Sequence, residues 1–156
     1  MIGNLNLQLA TQADVLAIAR MSRDLIEQGL GWSWTPRRVL HSVVDLQTNV
    51  VIAVETGNLL GFGIMKYHED EAHLLLLAVH PAAARRGVGS ALLAWLEKSA
   101  TTAGLGQIYL EARASNTAAR AFYRRARYAA IQHLPGYYRG QEPAVRLAKD
   151  LWLDQA

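Results

Sequence analysis

Cysteine is absent from this chain of 156 residues. That excludes disulfides, thiolate metal sites and a cysteine nucleophile together, so covalent chemistry would have to use another group. Histidines are few and scattered. His41, His68, His73, His80 and His133 show neither an HxH nor an HxxxH spacing, and they read as surface or strand-end residues. No metal is expected. Long apolar runs are missing as well: the longest, of about eight residues, falls far short of the roughly 20 that a spanning helix needs. The opening Met1-Ile2-Gly3-Asn4 lacks the basic segment, apolar stretch and small-residue cleavage site of a secretion signal. The expectation is a cytoplasmic protein with no membrane partner. Repeats, linkers and low-complexity segments are also absent, which leaves one domain over 1–156.

What is present is a large apolar fraction, 51%, enough to bury a core, and a net charge of +3. Arginines cluster between Arg113 and Arg127 and again at Arg85 and Arg86. No nucleic-acid-binding motif accompanies them, so a phosphate-rich small molecule accounts for the charge better than nucleic acid does.

Leu5 to Leu9 alternates with period two and predicts a strand, after which Thr11 and Asp14 form a capping box. A helix follows with Val15, Ile18, Ala19, Leu25 and Ile26 on one face, ended by Gly29 to Gly31. Thr35-Pro36 opens a second helix holding Val39, Val43 and Leu46, so Trp32-Ser33-Trp34 forms a short aromatic loop between the two. Val50–Val54 and Leu59–Tyr67 read as a hairpin around Thr56-Gly57. The strand Ala72–Val79 contains four consecutive leucines and should lie at the sheet centre, covered on both faces. A helix from Val88 to Gly104 is predicted next, then a strand Ile108–Ala112, a helix Asn116–Ala126, and strands Ala129–Leu134 and Val145–Leu151. This is an α+β (mixed α/β) layout with a mostly antiparallel front half.

Between the central strand and the third helix stands Val79-His80-Pro81-Ala82-Ala83-Ala84-Arg85-Arg86-Gly87-Val88-Gly89-Ser90. Glycines that admit an anion close to the backbone, followed by the open amides of a helix start, suit a phosphate. The segment lacks the Lys-Ser/Thr ending of a nucleoside-triphosphatase loop, and Leu92 stands where a dinucleotide fold has its third glycine. It resembles the acyl-CoA pyrophosphate loop of the GNAT acetyltransferase superfamily, V-x-P-x-x-[QR]-x-x-G-x-G/A. One departure is Ala84 in place of the family's Gln/Arg, for which Arg85 or Arg86 is a candidate substitute. A second block, Leu110-Glu111-Ala112-Arg113-Ala114-Ser115-Asn116 through Tyr123, resembles L-E-V-R-x-x-N-x-x-A-x-x-x-Y of the branch that acetylates protein N-termini. At Arg127 that branch has glycine. If the backbone there is left-handed, arginine costs about 1 kcal/mol.

The resemblance implies a GNAT fold: a central mixed, mostly antiparallel sheet of about seven strands flanked by four helices. It implies acetyl-CoA as co-substrate and a protein or peptide N-terminus, or else a small amine, as acceptor. A non-catalytic acyl-CoA sensor is the alternative of another class, and a homodimer and a monomer are both open. By the same resemblance Glu111 is the general base and Tyr123 the general acid that protonates the departing CoA sulfur. Arg85, Arg86, Gly87, Val88, Gly89, Ser90 and Asn116 hold the cofactor. Backbone amides at a splayed part of Leu77, Ala78 and Val79 face the oxyanion. Trp34, Tyr137 and Tyr138 lie in aromatic loops around the acceptor. Plainer roles stay open at this point: Glu111 as a partner of Arg113 or Arg120, Tyr123 as core, Asn116 as a helix N-cap, and the aromatics as loop anchors.

Overall fold

The alternating leucines give strand β1 (Leu5–Leu9), and the Thr11–Asp14 capping box opens a 3-10 turn that runs directly into α1 (Val15–Leu25). The computed structural model describes residues 5–153, so Met1-Ile2-Gly3-Asn4 lies outside the described residues. Thr35 caps α2 (Pro36–Val44) by accepting from the Arg38 amide, with Pro36 in the first helical position. Val15, Ile18, Ala19 and Val39 are buried as expected, but Leu46 is fully exposed. The reason is Asp45. Its carboxylate accepts from the Gln47 amide and the Thr48 hydroxyl, which ends the helix and turns the chain before Leu46 can face the core.

Strands β2 (Thr48–Glu55) and β3 (Asn58–Tyr67) form the expected hairpin, with Thr56 and Gly57 both at positive φ as a primed turn requires. The chain continues through β4 (Glu71–Val79), α3 (Val88–Thr102), β5 (Gln107–Arg113), α4 (Thr117–Arg125), β6 (Ala129–Tyr138) and β7 (Glu142–Asp150). One sheet collects the seven strands in the order β1-β2-β3-β4-β5-β7-β6, and every pairing is antiparallel except β4 with β5. Helix α3 covers one face with Leu92 and Leu96, and α1 and α2 cover the other over Ile52, Phe62 and Ile64. Among the described residues no helix is long and apolar enough to cross a membrane.

The leucine run of β4 is central, and the structure adds a detail that periodicity did not supply. Ile64 pairs with Leu76 and Met65 with Leu74, so Leu75 is an extra residue in the strand. This bulge moves the strand's apolar residues between faces: Ala72 and Leu74 pack with α3, whereas Leu76 and Ala78 pack with α1 and α2. Tyr137 and Tyr138 also differ from expectation. They belong to the end of β6 and not to a loop, because the register slips between Leu134 and Tyr138 and lets Pro135, Gly136 and Tyr137 bow out while the strand continues.

Gly61 pairs with Val79 near the end of the β3–β4 ladder. A Cβ there would lie 2.7 Å from the Ala78 carbonyl oxygen, a backbone atom with little room to retreat, whereas one on Gly63 would meet the tip of Leu96. Gly61→Ala is expected to destabilise by about 1–3 kcal/mol and Gly63→Ala by less. Urea denaturation of the two variants checks the order.

Candidate active site

Parallel pairing between β4 and β5 lasts for only three positions, Glu71 with Gln107, Ala72 with Ile108 and His73 with Tyr109. Beyond them the strands part. Leu74–Val79 and Leu110–Arg113 become opposite walls of a cleft of about 750 Å³ that also takes in Trp34, Asn116, Tyr123, Tyr137 and Tyr138. Of the residues singled out in the sequence, these and Glu111 are brought together; the loop from Arg85 to Ser90 is not part of the cleft lining.

Glu111 points into this cleft from β5, its side chain only 6% exposed. One carboxylate oxygen lies 2.6 Å from His73 Nε2 and the other accepts from Arg146 Nε at 2.7 Å. Burial opposes its ionisation, but the hydrogen bonds and charges of His73 and Arg146 prevail and hold it below the ordinary carboxylate range. Glu111 is thus paired, though with neither Arg113 nor Arg120. Arg113 reaches instead across to the Ile26 and Gln28 carbonyls and to Glu142, and Arg120 donates to the Ala114 carbonyl. His73, set aside as a strand-end histidine, and Arg146, not considered, are the residues that sequence reasoning missed. Both lie on strands adjacent to β5, in positions that only the sheet order reveals.

Tyr123 is almost fully buried, packed edge-on against Phe122 and Tyr128, yet it borders the cleft. Burial, assisted by nearby Tyr138, raises its pKa well above that of a free phenol, so the hydroxyl keeps its proton. Tyr138 is pushed up to about 12 by burial first and then by Tyr137 and Glu111. Asn116 is the N-cap of α4, its side-chain oxygen accepting from the Ala119 amide, and it lines the cleft at the same time. Trp34 is buried under the Arg38 guanidinium, 3.8 Å from the ring centre. Its amide donates to Glu27, a second buried carboxylate, which also accepts from Ser22 and Ser33 and thereby fixes the α1–α2 segment.

At the far end of β4, a 3-10 turn capped by His80 leads into α3. Gly87 is the N-cap, with φ of +81° and no capping side chain, which leaves the first-turn amides of Val88, Gly89 and Ser90 open in the way an anion requires. Gly89 packs beside Val79 and Phe122. Arg85 holds a left-handed φ of +65°, a strained conformation for a non-glycine residue. Arg86 donates from Nη2 to Glu55 at 2.6 Å and from its amide to the Ala83 carbonyl, which ties the loop to the tip of the β2–β3 hairpin. Arg85 and Arg86 both remain candidates to replace the missing side chain at Ala84. Arg127 has φ of +75°, so the left-handed strain anticipated there applies. Among the described residues no group of three or more His, Asp or Glu is placed to hold a metal ion.

Residues 20–127 match the family model described as Acetyltransferase (GNAT) family, and the chain belongs to that family. It is 35% identical over 97 residues to the ribosomal protein bS18-alanine N-acetyltransferase of Escherichia coli K12, covering 60% of this chain and 66% of that one. The crystal structure of the Escherichia coli enzyme superimposes with a TM-score of 0.81 at 26% identity, over 94% of each chain. An uncharacterised N-acetyltransferase of Methanocaldococcus jannaschii is 34% identical over 99 residues, 63% of this chain and 64% of the relative. The sequence matches therefore span just under two thirds of these relatives' lengths. Arabidopsis thaliana NAA60, solved with acetyl-CoA, shares the fold with a TM-score of 0.82 at 18% identity, over 94% of this chain and 98% of that one.

The Glu111 cluster makes stability depend on pH in one direction. With its folded pKa below the unfolded value of about 4.3, Glu111 contributes stability above that value and loses it as pH falls through the folded pKa. The stability gap between wild type and Glu111→Gln is expected to be widest near neutral pH and to narrow in acid. Urea titrations between pH 7 and pH 3 measure it.

Proposed function

We propose that this chain transfers an acetyl group from acetyl-CoA to a primary amine, and that the amine is the α-amine of a protein or peptide N-terminus. The observation that carries this is the parting of β4 from β5. It leaves a cleft bordered by a buried anion, Glu111, and a buried phenol, Tyr123, with the open amides of α3 beyond the end of β4. Family membership and the Escherichia coli relative, a ribosomal protein bS18-alanine N-acetyltransferase by name, support the same chemistry.

The residues fit the cofactor. Gly87 has the left-handed turn that keeps side chains away from an anion, and the Val88, Gly89 and Ser90 amides would hold the pyrophosphate, with Arg85 beside them. Asn116 borders the cleft and would meet the cofactor's arm. When bound, acetyl-CoA supplies an acetyl group activated as a thioester. Backbone amides of Leu77 and Val79, which point away from β3 toward the side where β5 has parted, would serve the oxyanion, whereas the Ala78 amide between them faces β3.

Glu111 removes the proton from the incoming amine. An amine of pKa about 8 is mostly an ammonium at neutral pH, and a carboxylate kept anionic attracts it. Since His73 and Arg146 already engage one lone pair on each oxygen, a water molecule on one of the remaining acceptor sites can relay the ammonium proton to the Glu111 carboxylate, which holds it. Tyr123, with its pKa raised by burial, retains the proton that the departing thiolate needs. Trp34, Tyr137 and Tyr138 line the mouth on the side of α2 and β6, where aromatic contact and phenol hydrogen bonds would spread recognition over the first residues of a peptide.

Glu111→Gln and Tyr123→Phe are each expected to lower kcat by about 10²-fold while leaving the affinity for acetyl-CoA unchanged. Gly87→Val should weaken acetyl-CoA binding at least about tenfold in a folded protein, as calorimetry would show. A panel of N-terminal peptides and small amines, followed by thiol release and product mass, tests the acceptor. A polyamine or amino acid acetylated with a kcat/KM well above every peptide overturns the assignment, and acetyl-CoA binding with no acetylated product makes the chain a sensor.

A further inference from the structure

The charges around the cleft are unequally committed. Its two lining carboxylates are both engaged: Glu27 by Ser22, Ser33 and Trp34, and Glu111 by His73 and Arg146. Of its three guanidinium groups, Arg113 is likewise engaged, by two carbonyls and by Glu142. Arg38 and Arg139 are different. Both are exposed, both line the cleft, and among the described residues neither has a carboxylate within ion-pair distance.

Each is nevertheless held in place by packing. Arg38 projects from α2, with its guanidinium carbon over the Trp34 ring at 3.8 Å from the centre. Arg139, in the turn after β6, lies against the α1–α2 segment, where a Cβ on Gly31 would come within 3.1 Å of its Nη2. Gly31, itself at φ of +78°, thus provides the space that the guanidinium fills. Two packed cations on the lining of the cleft, with no carboxylate of the described residues within ion-pair distance, are suited to bind a planar carboxylate through paired N–H groups. The phosphate loop at Arg85 to Ser90 lies outside the cleft lining, so these two arginines are not extensions of it.

We propose that Arg38 and Arg139 select acceptors that carry a carboxylate close to the reactive amine, foremost peptides with Asp or Glu in the two positions after the first residue. This rests on the transfer reaction proposed above. A free amino acid offers the same chemistry through its own carboxylate, and the test separates the two sources.

The experiment compares kcat/KM, with acetyl-CoA and the full chain, for three matched peptide amides beginning with Ser and continuing Asp-Glu, Gln-Gln or Lys-Lys, together with free serine and serine amide. The expected result is a preference for the Asp-Glu peptide over the Lys-Lys peptide of at least about tenfold, seen mainly in KM and weakened by salt. Arg38→Gln and Arg139→Gln should each shrink that ratio, Arg139→Lys should retain much of it, and Arg139→Glu should turn it toward the Lys-Lys peptide. Calorimetric affinity for acetyl-CoA should be unaltered in all four variants. If free serine outpaces both serine amide and the Asp-Glu peptide, the carboxylate is that of an amino acid, and the peptide assignment fails. Equal rates across the three peptides, a preference for Lys-Lys, or weaker acetyl-CoA binding in the variants overturns the role of the two arginines while leaving acetyl transfer standing. Absence of acetylation on every acceptor overturns the transfer reaction and this proposal together.

Discussion

Everything in the candidate site follows from a ladder that stops early. Parallel strands β4 and β5 share only the pairs from Glu71 to His73 and from Gln107 to Tyr109, in a sheet whose other strands pair along most of their length. A strand that leaves its neighbour strips hydrogen bonds from backbone groups, which is costly unless those groups meet water or a ligand. The cleft is the outcome: it lets the exposed edges of Leu74–Val79 and Leu110–Arg113 be solvated, and it makes them available to a substrate. The bulge at Leu75 lies at the start of the divergence, where an extra residue raises twist and turns the strand away from its partner.

The base of the parting is closed by charge. Glu111 is joined to His73 of β4 on one side and to Arg146 of β7 on the other, so one buried carboxylate clasps three strands at the point where the backbone ladder fails. A buried anion is tolerable only when charged partners are close, and here each carboxylate oxygen has one. His73 also stacks on Tyr109 at 4.2 Å, directly across the last parallel pair, which fixes the imidazole that meets Glu111. The same contacts that preserve the fold therefore set the protonation state at the centre of the proposed chemistry.

Much of this molecule is local and was legible in the sequence. Gly87, the Thr11–Asp14 box, Thr35-Pro36 and the Thr56-Gly57 turn each declare a backbone conformation within a few residues, and all were found where expected. Glu111, Asn116 and Tyr123 stood out by their resemblance to a family block that runs from β5 into α4, and they share one cleft. What remained hidden depends on pairs far apart in the chain. His73 and Arg146 reach Glu111 from strands that become its neighbours only through the crossover order β4-β5-β7, and the Arg86–Glu55 pair joins the phosphate loop to a hairpin tip. Leu75 was hidden for another reason: in a run of four leucines a bulge leaves the apolar pattern unchanged. Tyr137 was misread because Pro135-Gly136 has the composition of a loop, yet it forms an outward bow inside a strand.

Arg113 connects this strand geometry to the opposite wall. Its guanidinium leaves the end of β5, two residues after Glu111, and donates to the Ile26 and Gln28 carbonyls at the close of α1. Those carbonyls belong to the segment that Glu27 ties to Ser33 and Trp34, so the aromatic side of the cleft is anchored to the strand that carries the buried anion. Hydrogen bonds from a charged group to carbonyls near a helix end are among the stronger kinds, because the helix dipole adds to the carbonyl's own negative charge. The distance between Glu111 and the aromatic wall is thereby set by one side chain and two short contacts, with no long loop intervening. A displacement of β5 would carry both together, which is the preorganisation that transfer between two bound molecules requires.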